Sequence, residues 1–114
     1  MTQLAADHPT LYQVYVAESP EDGVAIGVCA LERHDNRWEL AQVWVAPASR
    51  HRGVGRALVE QALAAARAED PELAIRVQAN PNAIGFYEQL GAALISDAPD
   101  RDLPVLEFRA WRAR

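Results

Sequence analysis

A strand that runs through a glycine-and-arginine loop into a helix constrains this chain more than any other feature. Residues 39–45 read as a strand, which Pro47 stops. The loop Arg50-His51-Arg52-Gly53-Val54-Gly55-Arg56-Ala57-Leu58 follows, and residues 54–68 read as a helix. A helix start presents N–H groups without intrahelical partners and a partial positive charge. Glycine lets backbone approach a ligand closely. With Arg50, His51, Arg52 and Arg56 in the same stretch, the loop reads as a seat for a phosphate or pyrophosphate. The bland alternative is a solvated basic turn that begins an ordinary helix.

Two familiar phosphate loops do not fit. A P-loop needs Gly-x-x-x-x-Gly-Lys-Ser/Thr, and the chain has no lysine. A dinucleotide fingerprint needs a third glycine where Leu58 stands. What remains is Arg-x-x-Gly-x-Gly after a strand ending Val43-Trp44-Val45-Ala46-Pro47. A second block completes the pattern: a strand at residues 73–79, then Asn80-Pro81-Asn82-Ala83-Ile84-Gly85-Phe86-Tyr87-Glu88-Gln89-Leu90-Gly91-Ala92.

The ordered pair of blocks resembles the GNAT family of N-acetyltransferases, over roughly residues 38–92. The resemblance implies the acyl-CoA N-acyltransferase fold, with acetyl-CoA as cosubstrate and no metal. Carried over by position, Val43 and Val45 would offer backbone groups to the pantetheine arm as an added strand does. Arg50, His51, Arg52, Gly53, Val54, Gly55 and Arg56 would hold the pyrophosphate. Asn80 would lie beside the arm, unless it serves only to cap the turn before Pro81.

The rest of the chain reads as strands at residues 11–18, 24–31 and 37–45, with turns at Glu21-Asp22-Gly23 and Asp35-Asn36. Two final strands fall at residues 93–96 and 105–111. The expected order is βββ-αβαββ, an α/β (α+β) domain spanning residues 1–114. Its six-stranded sheet is mixed, mostly antiparallel, with two helices on its crossover connections. The family's fold ordinarily opens with a further strand and two helices, and only about ten residues precede the first strand here. The expectation is therefore an N-terminally trimmed version.

Tyr87 is the candidate general acid. When an amine attacks the thioester, CoA leaves as a thiolate, and a tyrosine of pKa about 10 beside a thiol of about 8.5 can pass it a proton or donate a hydrogen bond. Periodicity alone makes Tyr87 a core aromatic with Ala83, Phe86 and Leu90. The acceptor amine must lose its proton, which costs a lysine-like amine roughly 4–5 kcal/mol at neutral pH. Glu39 is the candidate base, or equally a solvated cross-strand charge. A bulge in this strand, common in the family, would decide which way it faces. Cys29 reads as core rather than as an acyl carrier, and His8, His34 and His51 have no metal-ligand spacing.

Composition bounds the partners. The 114 residues carry a net charge of −5, which argues against general nucleic-acid or anionic-membrane binding. There is no bilayer-spanning run and no signal-peptide pattern, so the cytoplasm is the default expectation. The family resemblance implies an amine acceptor, of a small molecule or peptide. Trp38, Trp44 and Trp111 fall in strands, and two helices cannot cover both faces of six strands. A homodimer that buries the uncovered sheet is therefore expected. Two functions stay open: acetyl transfer by direct attack in a ternary complex, or a CoA-binding sensor or partner subunit without turnover.

Overall fold

A computed structural model describes residues 11–96 and 103–108. Six strands and two α-helices follow one another as β1 (Leu11–Glu18), β2 (Ala25–Arg33), β3 (Trp38–Val45), α1 (Val54–Glu69), β4 (Ile75–Gln78), α2 (Ile84–Gln89), β5 (Ala92–Ser96) and β6 (Val105–Phe108). The expected order holds, with the described ends shifted by no more than two residues. The last strand is described only to Phe108, so Trp111 lies outside the described residues, as does His8.

The sheet order is β1-β2-β3-β4-β6-β5. β1, β2 and β3 are an antiparallel meander, β3 and β4 are parallel across the α1 crossover, and β6 runs antiparallel between β4 and β5. A parallel pair needs such a crossover, and a helix supplies it. The helix buries Leu58, Val59, Ala62, Leu63 and Ala66, the i, i+3/i+4 stripe of an amphipathic helix.

One face of the sheet meets this stripe. Cys29, Leu31, Trp38, Leu40, Ile75, Val77, Leu106 and Phe108 form the core with it, and their positions alternate along each strand as the pleat requires. Trp38 is 1% exposed. Its indole N–H donates to the Asp70 carbonyl at the end of α1, 3.4 Å away, and Arg33 lies over its ring at 5.5 Å. The expectation that Trp38 marks uncovered sheet is corrected here.

The other face is open. It carries Val14 and Val16, each about half exposed, and Trp44 at 47% exposure. A bulge separates the two tryptophans. Leu31 pairs with Leu40 and Ala30 with Gln42, so Ala41 is an extra residue in β3. Strict alternation would put Trp38 and Trp44, six residues apart, on one face. The inserted residue sends Trp44 to the other.

Candidate active site

The parallel ladder between β3 and β4 is short. It pairs Trp38 with Ile75, Glu39 with Arg76 and Leu40 with Val77, and ends there. Past Leu40, β3 continues with β2 while β4 continues with β6, so the two strands splay and the β4-facing edge of residues 42–45 is left without a strand partner. Ala79 follows β6, donating its N–H to the Pro104 carbonyl at 3.0 Å.

Two connected chambers occupy the gap. The larger, roughly 540 Å³, lies toward the helices, and its walls include Val43, Val45, Arg50, His51, Gly53, Val54, Gly55, Arg56, Asn80 and Tyr87. The smaller, roughly 400 Å³, runs between the strands past Gln42, Trp44 and Gln78 and shares Val43, Asn80 and Tyr87 with the first. Together they make a groove from the start of α1 through the sheet to its open face. Two sequence candidates fall outside both chambers: Arg52, which is exposed in the turn, and Glu39, which lies on the open face.

The loop's two glycines do different things. Gly53 is the N-cap of α1 with φ +83°, a left-handed conformation that costs a side-chain-bearing residue energy. Its neighbour His51 is also left-handed, at φ +65°. Gly55 is a packing residue: a Cβ there would lie 3.3 Å from Val45 and 3.6 Å from Phe86. Its bareness lets α1 settle against β3 and α2. The first turn of α1 has no acidic residue and no side-chain cap, so its N–H groups and dipole face the groove without an internal anion. Arg56 is tethered, its Nε donating to Glu60 at 3.1 Å on a largely exposed flank.

The Asn80 side chain makes no capping hydrogen bond, although the residue heads the turn formed by Pro81–Ala83 and its carbonyl accepts from the Ala83 N–H at 2.8 Å. Its side chain is exposed at the groove wall. Tyr87 is 5% exposed and packs edge-on against Phe86 with ring centroids 5.0 Å apart; its carbonyl accepts from the Leu90 N–H at 3.0 Å, while its hydroxyl has no hydrogen-bond partner among the described residues. Burial, with a smaller contribution from nearby Cys29, pushes its hydroxyl up to about 12. Cys29 is fully buried, and burial pushes its thiol up to about 11, the opposite of an activated nucleophile.

Glu39 sits before the bulge, opposite Glu32 on β2 and Arg76 on β4. Arg37 donates to it at 2.9 Å. His34 Nε2 lies 2.9 Å from Glu32 and 3.9 Å from Glu39. The ligand atoms of Glu32, His34 and Glu39 lie within 4.8 Å of one another, a grouping that spacing among histidines alone does not reveal. Each member already has a partner in this set, with Arg37 supplying the positive charge.

Sequence reasoning missed Trp44, Ser49, Ala83 and Phe86 as groove walls. Ala83 and Phe86 stand in the second block, where helical periodicity reads only as a core face. Among the described residues no helix is long and apolar enough to cross a membrane.

Comparison with known proteins gives one family model, the acetyltransferase (GNAT) family, matching residues 2–92. No curated protein sequence matches. Among solved structures, nourseothricin acetyltransferase is 24% identical with a TM-score of 0.75, covering 88% of this chain and 66% of that one. PaiA N-acetyltransferase from Thermoplasma acidophilum, in complex with coenzyme A, is 19% identical with a TM-score of 0.73, covering 88% and 61%. An acetyltransferase of the GNAT family from Staphylococcus aureus is 18% identical with a TM-score of 0.76, covering 88% and 68%. At these identities the likeness is one of fold. The chain spans slightly under two thirds of the length of the first two.

Proposed function

This chain belongs to the acetyltransferase (GNAT) family, and from that premise we propose that it transfers an acetyl group from acetyl-CoA to an amine by direct attack in a ternary complex. The observation that carries the reading is the groove through the splayed β3–β4 gap, with the start of α1 at one end and Tyr87 shared by both chambers. In this reading the pyrophosphate rests on the N–H groups of α1 beside Arg50, His51 and Arg56, with Arg52 adding charge from outside the groove. The pantetheine arm pairs with the free backbone edge at Val43 and Val45 and passes Asn80. Acetyl-CoA then places its thioester near Tyr87.

The amine nitrogen attacks the thioester carbonyl carbon, the C–S bond breaks, and CoA leaves as a thiolate. The burial of Tyr87 decides how it helps. Full proton transfer from a hydroxyl near 12 to a thiolate whose acid has a pKa of about 8.5 is uphill by about 5 kcal/mol. Tyr87 therefore donates a hydrogen bond to the developing thiolate and keeps its proton, which water supplies instead. Glu39, reached from the open face directly or through water, takes the proton of the amine.

Tyr87→Phe keeps the ring and its packing. Thiol release from acetyl-CoA with a panel of amines should fall roughly ten- to a thousand-fold in the variant, a preorganised hydrogen-bond donor to developing negative charge supplying about 10²–10³. Acetyl-CoA affinity by calorimetry should stay within twofold. Binding without thiol release for any amine in the wild type favours the sensor or partner-subunit reading. Acetyl-CoA as donor keeps the cytoplasm as the expected compartment. The homodimer is proposed through the open face, where Val14, Val16 and Trp44 expose apolar surface.

A further inference from the structure

The open face carries a row of charges outside the groove walls. Glu32, Glu39, Arg76 and Glu107 are successive Cα partners across β2, β3, β4 and β6, so all four lie on one rung and one face. Beside them is a pocket of roughly 340 Å³ lined by Arg37, Glu39, Arg76, Val77, Gln78 and Val105. It shares Val77 and Gln78 with the chamber that runs through the sheet. Its volume is at the small end for ligand sites.

The walls hold one ion pair, Arg37–Glu39, and one member of a second, Arg76, whose partner Glu107 stands behind it on β6. Arg37 donates to Glu39 at 2.9 Å, and Arg76 Nε donates to Glu107 at 3.0 Å. Their side chains are between 22% and 45% exposed, so solvent screens them and each pair is readily exchanged. A plain cation seated here meets two guanidinium groups. A plain anion meets Glu39 and Glu107. A zwitterion meets neither cost, because its carboxylate replaces Glu107 on Arg76 while its ammonium replaces Arg37 on Glu39. Arginine presents its donors in a fork that a carboxylate matches.

We propose that this pocket is the acceptor subsite and that the acceptor is a small free amino acid, held by its carboxylate at Arg76 with its ammonium at Glu39. The assignment rests on the acetyl-transfer reading above. The ammonium then gives one proton to the Glu39 carboxylate. The neutral nitrogen forms its bond to the acetyl carbon as the C–S bond breaks, the nitrogen then loses its second proton to water to leave the amide, and the thiolate takes a proton from water. Arg76 positions the acceptor and takes no part in the bond changes.

The test compares the twenty proteinogenic amino acids with their carboxamides as acceptors, read as thiol release. At least one free amino acid should exceed its amide by tenfold or more in kcat/KM. Arg76→Gln should raise KM for that amino acid at least tenfold, leave kcat within twofold and leave the amide unaffected. Glu107→Gln, which removes the competing carboxylate, should lower the same KM. A residue that only braces the sheet would move both variants in the same direction, and that result overturns the assignment. So does equal or better use of the amides. Acetyl-CoA titrated into the same preparations separates the two readings. Binding retained while every amino acid is refused overturns the acceptor assignment alone. Absence of acetyl-CoA binding overturns acetyl transfer and the acceptor assignment with it.

Discussion

The two faces of the sheet are made by the same strands and follow different rules. The face under α1 and α2 is apolar and closed, and every described core residue beside the helices belongs to one cluster. The open face carries half-exposed valines, an exposed tryptophan and a rung of charges. The closed face fixes the fold and frames the groove beside the start of α1. The open face does no comparable packing, so its residues are free to be chosen for what meets them. The groove through the β3–β4 gap is where the two faces communicate.

The strongest way to test this division is to remove the same residue type from each face. Trp38→Ala deletes a fully buried ring together with its hydrogen bond to Asp70 and the Arg33 stack, and should cost about 3–5 kcal/mol. Trp44→Ala should cost the monomer, at a concentration too low for pairing, well under 1 kcal/mol, since half its surface is already in water. Urea unfolding of both variants checks this, and equal losses would break the comparison.

Alkaline pH probes the closed face alone. Cys29 and Tyr87 both have raised values there, by burial first: Cys29 from 9.0 to about 11, Tyr87 from 10.0 to about 12. A raised value means that the folded chain holds its proton more tightly than the unfolded chain. The stabilisation is complete below pH 9, declines as the unfolded groups ionise, and is gone above about 12. Stability measured at pH 10.5 should be about 2–3 kcal/mol lower than at pH 8. Cys29→Ala should flatten the lower part of that decline. A flat profile would mean that water reaches this face.

Gly53→Asp addresses the mouth of the groove. Aspartate is a favourable helix N-cap and tolerates left-handed backbone better than most residues, so the fold should persist. Its carboxylate would stand where the pyrophosphate is proposed to rest. Acetyl-CoA affinity should weaken more than tenfold, about 1.4 kcal/mol. Unchanged affinity by calorimetry would detach the loop from phosphate binding.

The closed face was largely legible in the sequence, because alternation in residues 73–79 and the 3.6-residue stripe of α1 report burial directly. Tyr87 and the loop glycines were legible through the order of the two blocks. The open face was not. Its composition depends on Ala41, an inserted residue that breaks no visible pattern yet separates Trp38 from Trp44. The splay after Leu40 is a property of two strands taking different neighbours, which no single strand's sequence states. For the same reason Glu39 could be named as a base but not placed opposite Arg76, and Arg52 could be counted with its loop but not seen to fall outside the groove walls.

The smallest expected change in stability gives the sharpest reading of what the open face is for. Val14 and Val16 are 48% and 51% exposed, so replacing both by threonine keeps their shape and should alter monomer stability by no more than about 0.5 kcal/mol. If the proposed homodimer buries them, the same pair of substitutions places two hydroxyls in an apolar interface, each costing about 1–3 kcal/mol when left without a partner. Light scattering at micromolar concentration should then give about twice 12.5 kDa for the native protein and a value near 12.5 kDa for the variant. Acetyl-CoA affinity should not move, because both valines stand outside the groove walls. A native mass of 12.5 kDa would leave the valines in solvent, and the acceptor would reach the charged rung without crossing a partner.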